Sequence, residues 1–83
     1  MNVGDAEAAV LALLSERQSG ATICPSEAAR RIALDEKADW REVMPLVHTA
    51  VDDLLDQKAI ILSWKGKALP ARSGPYRIGR TTD

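Results

Sequence analysis

The apolar periodicity of the chain changes from helical to strand-like within residues 60–78, IILSWKGKALPARSGPYRI. Alternate residues at its start share one face of a strand, namely Ile60, Leu62 and Trp64. A turn signal follows at residues 65–67 (KGK), and residues 69–73 are typical of a loop. Residues 76–78 then predict a second short strand, after which residues 79–83 are expected to fray. The stretch therefore predicts a C-terminal β-hairpin.

Three helical segments precede this hairpin, at residues 5–17, 25–34 and 40–57. The first is dominated by Ala, Leu and Glu, which are strong helix formers, and Asp5 is suited to cap its start. The second begins at Pro25, because the missing N–H of a proline costs nothing at the first helical position. We expect Ala28, Ala29 and Ile32 of this second helix to face the core.

The third helix carries the clearest apolar stripe. Its members recur at helical spacing: Val43, Val47, Ala50, Val51 and Leu54. Asp39 precedes the helix as an N-cap, and Glu42 stands three residues later, as in a capping box. Pro45 lies inside the segment, where its missing N–H predicts a kink or a break into two pieces.

The order of elements is helix, short strand, helix, helix and hairpin, which is the plan of a winged helix-turn-helix. The short strand is predicted at residues 21–23, which include the β-branched Thr and Ile. We expect one mainly α domain over residues 1–83, with an ordered core at about residues 5–80. Its three helices would carry a two- or three-stranded antiparallel wing. The hairpin would cover a three-helix core that is otherwise too small.

Composition limits the classes of function. The chain has 83 residues, enough for one small domain, and its 11 Lys and Arg against 12 Asp and Glu give a net charge of −1. Any binding to DNA must therefore come from local clustering of charge. The one cysteine excludes an intramolecular disulfide. No apolar run approaches about 18 residues, and no Lys or Arg precedes the run at residues 8–14, so we expect no membrane span, no signal peptide and a cytoplasmic protein.

Three separated motifs occur in the sequence, at residues 23–30 (ICPSEAAR), 39–41 with 44–45 (DWR and MP), and 74–78 (GPYRI). Together they resemble an uncharacterised bacterial family, the domain of unknown function 3253, over about residues 5–80. Family members more often have Ile or Val in place of Tyr76, and Gly in place of Ala59, which suggests a less sharp turn after the third helix here. The resemblance implies a winged-helix-like fold and no established activity, substrate or catalytic residue.

Basic residues are concentrated in the last third of the chain, where residues 58–82 contain six cations and no acid. Such a segment attracts phosphate without reading base sequence. We therefore predict a module that binds double-stranded DNA. The expected phosphate contacts are Lys65, Lys67, Arg72 and Arg77 on the wing. The expected contacts near the groove are Arg30, Arg31, Arg41, His48 and Thr49, because a recognition helix brings its N-terminal part to the bases.

An alternative is a protein-interaction module of the same fold that does not bind DNA. The net charge of −1 and the acids of the third helix favour it, and lysine on an edge strand also serves to block unwanted sheet pairing. A homodimer through the first helix is a further partner hypothesis. Trp64 and Tyr76 could stack on a base, but they share a face with core residues, so core packing is the favoured interpretation. Trp40 is expected to pack as a hydrophobic side chain under the turn between the second and third helices.

Enzymatic activity is not expected. Cys24 stands at a helix start, where the helix dipole favours a reactive thiolate, and with His48 it would make a minimal nucleophile–base pair. No third group that would orient such a pair stands out, so we expect a structural cysteine. One His and one Cys cannot complete a zinc site, and the scattered glycines form no phosphate-binding loop, so we expect neither a metal nor a cofactor.

Overall fold

A computed structural model of the chain describes residues 2–81, within which three helices and a four-stranded antiparallel sheet are found. The helices are α1 (Val3–Ser15), α2 (Pro25–Glu36) and α3 (Trp40–Asp56). The strands are β1 (Thr22–Ile23), β2 (Ile60–Trp64), β3 (Lys67–Leu69) and β4 (Arg77–Arg80). The mainly α class, with three helices and a C-terminal antiparallel wing, is confirmed, and the arrangement is consistent with a winged-helix fold.

The first helix begins two residues earlier than predicted, because Asn2 rather than Asp5 is its N-cap. The side-chain oxygen of Asn2 accepts the backbone N–H of Asp5 at 2.9 Å. The Asp5 carboxylate in turn accepts the backbone N–H of Asn2 at 3.2 Å. Asp5 is therefore the third residue of a reciprocal capping box, which satisfies two N–H groups that the helix itself leaves free.

The third helix confirms Asp39 as its N-cap, since the carboxylate accepts the backbone N–H of Arg41 at 3.0 Å. This bond goes to the second helical residue and not to the third, and no reciprocal bond from the Glu42 side chain is found among the described residues, so the predicted capping box does not form. Of the two outcomes predicted at Pro45, a kink or a break, the break is wrong, because α3 runs without interruption through this residue. The core-facing stripe on both sides of the proline keeps the helix in one piece.

A single hydrophobic core lies between the three helices and the sheet. All five members of the predicted stripe on α3 are buried, as are Ala28, Ala29 and Ile32 on α2. The sheet contributes Ile23, Ile60, Leu62 and Ile78, each no more than 1% exposed. The wing therefore closes the open side of the helices, as the size of the chain led us to expect.

The order of strands in the sheet is β1-β4-β2-β3, with every pair antiparallel. Ile78 on β4 is the partner of both Ile23 on β1 and Leu62 on β2. Lys65 and Gly66 form the tight turn into β3 with φ of 52° and 81°, the left-handed values that type I′ hairpin turns need. Leu69, predicted as the start of a loop, ends this extra strand.

Two further expectations about the wing are corrected. Trp64 is 38% exposed rather than part of the core, because it ends β2 opposite Lys67 of the edge strand β3. Tyr76, by contrast, is buried as predicted. Gly79 and Arg80, expected to fray, belong to β4 and pair with β2. Thr82 and Asp83, expected to fray with them, lie outside the described residues. Over residues 2–81, no helix combines the length and the apolar character needed to cross a bilayer.

Candidate nucleic-acid interface

The N-terminal part of α3 presents an accessible face. Arg41, Pro45 and Thr49 are exposed and are spaced four residues apart, so they lie along one side of the helix. The Arg41 side chain is 72% exposed. The Thr49 hydroxyl donates to the backbone carbonyl of Pro45 at 3.2 Å, which orients it along the helix surface. Of the predicted groove contacts, Arg41 and Thr49 are thus on one open face.

Two guanidinium groups surround Trp40 at the junction of α2 and α3. Arg30 lies over the indole ring at 4.6 Å from its centroid, and Arg41 lies at 4.9 Å. Each contact is worth about 0.5–1 kcal/mol at an exposed site. Trp40 is half-buried against the core, in agreement with the predicted packing. This junction therefore brings together Arg30 and Arg41, from two different helices.

Arg31 takes a different direction from Arg30. Its guanidinium forms an ion pair of 2.7 Å with Glu16 after the end of α1. This hydrogen bond lowers the pKa of Glu16 and raises that of Arg31. Arg31 therefore joins α2 to α1 and does not belong to the cluster around Trp40.

A bidentate ion pair between Arg72 and Asp52 joins the wing to α3. Arg72 donates from Nε to Asp52 Oδ1 at 2.7 Å and from Nη2 to Oδ2 at 2.9 Å. The hydrogen bonds from Arg72 hold the pKa of Asp52 below its ordinary value. Arg72, predicted to contact phosphate, is thus already paired with a carboxylate.

A second link between the wing and α3 joins His48 to Tyr76. The Nδ1 atom of His48 and the hydroxyl of Tyr76 share a hydrogen bond of 2.7 Å. Burial, with the nearby Arg72 cation, lowers the pKa of His48. Burial also raises the pKa of Tyr76 to about 12. His48 is therefore neutral at pH 7, and one of its ring nitrogens is occupied in holding the wing.

Two other arginines of the wing donate hydrogen bonds to neighbouring elements. Arg77 donates to the Thr22 hydroxyl at 2.7 Å, to the Thr22 carbonyl at 3.1 Å and to the Cys24 sulfur at 2.8 Å. Arg80 donates to the carbonyls of Leu14 and Arg17 at the end of α1, with a shortest distance of 2.7 Å. Both side chains therefore join β4 to other elements.

These contacts divide the six cations in the last third of the chain into two groups. Arg72, Arg77 and Arg80 are engaged with protein groups. The remaining three are exposed and have no side-chain partner within residues 2–81; they are Lys58, Lys65 and Lys67. Of these, Lys65 and Lys67 flank the turn between β2 and β3, and this pair is named the wing-tip lysines below.

Cys24 and His48 have different partners, Arg77 and Tyr76 respectively, and no hydrogen bond joins them in the described part of the chain. No group of three or more metal-binding side chains occurs there either. Sequence reasoning missed the roles of Asp52 and Thr22 as partners of the wing arginines. Each lies at least 20 positions from its arginine, so no local spacing indicates the contact.

Comparison with known proteins identifies a family. A search among curated proteins found no match to this chain. A family model described as "Protein of unknown function (DUF3253)" matches residues 4–81, which is nearly the whole chain and includes all three motifs quoted above. The chain therefore belongs to the family known as domain of unknown function 3253.

Proposed function

We propose that this chain is a non-enzymatic module that binds double-stranded DNA through the start of α3 and the wing. The observation that supports the proposal most strongly is the open N-terminal face of α3, which carries Arg41 next to the Arg30 guanidinium. A recognition helix approaches the major groove with this part of its surface. The wing lies beside the same helix, because Arg72 and Tyr76 attach it to Asp52 and His48.

The side chains divide into three roles. Arg41 and Thr49 are assigned to base edges, where an arginine can form two hydrogen bonds with guanine. Arg30 and the wing-tip lysines are assigned to phosphates, which fix orientation without reading sequence. Arg72 and His48 position the wing, and Arg77 joins β4 to β1 through its hydrogen bonds with Thr22. Arg31 is committed to Glu16 and has no assigned contact with DNA.

A salt titration of binding to a mixed-sequence duplex tests this proposal. Arg30 and the wing-tip lysines provide the three assigned phosphate contacts, so log affinity should fall against log salt with a slope of about −3. Lys65→Glu should weaken binding strongly and reduce the slope by about 1 or more. Lys58→Glu is the matched control, because Lys58 is also exposed, unpaired within residues 2–81 and at positive φ, yet lies between α3 and β2. Equal effects of the two substitutions would contradict the proposed wing contact.

A second candidate is a protein-interaction module that does not bind DNA. It is favoured by the acids of α3, where Glu42, Asp53 and Asp56 are exposed and outnumber the single arginine. The engagement of three of the six C-terminal cations favours it as well. A folded protein that does not bind duplex DNA at low salt would favour this candidate over the first.

A further inference from the structure

A shallow apolar groove lies at the junction of α2 and α3, with a volume of about 390 Å³. Its apolar lining consists of Ala33, Leu34, Ala38 and Trp40. Leu34 is 81% exposed, far more than the other large apolar side chains on the described surface, which reach at most 47%. The packing of the domain gives no reason for a leucine at this position, since its side chain contributes little to the core.

The rim of this groove is cationic. Arg30 and Lys37 line it, and Arg41 adds its guanidinium at the Trp40 ring. The one acid in the lining, Asp39, accepts the backbone N–H of Arg41 and lies 3.5 Å from the Arg41 guanidinium. Arg30 and Lys37 form no ion pair within residues 2–81 and remain free to attract a carboxylate.

We propose that this groove binds an acidic, amphipathic helical segment of another protein. A leucine or phenylalanine of that segment would enter between Leu34 and Trp40, and its aspartate or glutamate side chains would pair with Arg30 and Lys37. Burial of Leu34 supplies apolar contact, while the cations set orientation and exclude basic partners. The proposal does not depend on DNA binding, because a DNA phosphate would make no favourable contact with the apolar side chain of Leu34.

The chain itself does not offer such a segment in its most acidic region. The acids near the end of α3, Asp52, Asp53 and Asp56, accompany Leu54 and Leu55, but Leu54 is only 2% exposed and Leu55 packs against the core. A second copy of the folded chain therefore could not insert these leucines into the groove. This observation favours a different protein as the occupant.

Fluorescence anisotropy with the full chain tests the proposal. The probe is a labelled synthetic helical peptide that carries glutamate and aspartate, with leucine at every third or fourth position. Wild-type protein should bind it, and Leu34→Ser should weaken binding by about tenfold, as expected for loss of one buried leucine contact. The matched control is Leu11→Ser, which removes an exposed leucine on α1, outside the groove. It should leave the affinity unchanged.

Three results would overturn the proposal. One is failure of the wild-type protein to bind the peptide, and another is equal affinity of the Leu34→Ser and Leu11→Ser variants. The third is a protein dimer in sedimentation experiments that Leu34→Ser dissociates, since the occupant would then be a second copy. Leu34→Ser should also bind duplex DNA as the wild type does, so failure of the groove proposal and failure of the DNA proposal can be distinguished.

Discussion

The only histidine and the only tyrosine of the chain form a hydrogen bond with each other. This pair shows what the sequence alone could indicate about single residues. Tyr76 was expected in the core because it shares a strand face with Ile78, and it is buried there. His48 was expected near the groove, and it is half-buried against the wing. Their contact spans 28 positions and depends on how the wing folds back, so neither residue alone predicts it.

Acid should weaken the fold through His48. Burial and Arg72 lower its pKa below the ordinary value of 6.5, so the unfolded chain binds the proton more readily than the folded protein does. This contribution to stability is complete above about pH 6.5 and is lost as pH falls through the lower folded-state pKa. The ring protons of this single histidine should therefore titrate below pH 6.5 in NMR spectra.

The variant His48→Gln provides the control for this prediction. It keeps a group that can bond to Tyr76 but does not titrate in this range. Wild-type melting temperature should fall more between pH 8 and pH 5 than that of the variant. An equal fall in both proteins would assign the pH dependence to other groups.

At the scale of elements, the helices were more predictable than the strands. A stripe of apolar residues along α3 identifies a helix whatever lies around it, and the buried set is the predicted one. The strand β3 has only three residues, Lys67–Leu69, with no apolar alternation long enough to detect. It forms because the Lys65-Gly66 turn folds the chain directly back onto β2. Its pairing is therefore set by the turn and not by its own composition.

Pro45 should cost α3 stability even though it does not break the helix. The residue lacks the N–H that would donate to the carbonyl four positions earlier. Pro45→Ala should therefore raise the free energy of unfolding by about 1–2 kcal/mol, after allowance for the greater freedom of the unfolded chain. Chemical denaturation of both proteins measures this difference.

Pro70→Ala is the matched control for Pro45→Ala, because Pro70 lies in an exposed bend outside any helix or strand. Its replacement restores no helical hydrogen bond and should leave stability unchanged or slightly lower. A Pro45→Ala variant that is no more stable than Pro70→Ala would show that the first turns of α3 gain nothing from the restored N–H.

For the molecule as a whole, the six cations counted in the sequence overestimate the basic surface that the fold leaves free. The sequence correctly indicates six cations after residue 57, but it does not indicate which of them the fold uses. Arg72 is matched by Asp52 on α3, and Arg77 by Thr22 and Cys24. These partners come from distant parts of the chain, so only the assembled structure shows that three lysines remain free. The start of α3, by contrast, is accessible, since Arg41, Pro45 and Thr49 are exposed.

Arg80 should contribute to stability by joining the sheet to α1. Its guanidinium satisfies carbonyls of Leu14 and Arg17 at the end of the helix, where the helix dipole also favours a cation. Arg80→Gln should lower the free energy of unfolding by about 1–2 kcal/mol, a value reduced for partial exposure to solvent. Lys67→Gln removes an exposed cation with no partner in the described structure and should change stability by less than about 0.5 kcal/mol. Similar losses in the two variants would contradict a structural role for Arg80.

The central position of β4 has a consequence for synthesis on the ribosome. The chain grows from its N-terminus, and β1 and β2 have no contact in the sheet until Arg77–Arg80 arrives between them. All residues up to Arg80 must therefore leave the exit tunnel before the sheet can close over the helices. Until then the apolar sides of all three helices stay uncovered on that side, so a stalled or prematurely terminated product would be a substrate for chaperones and proteases.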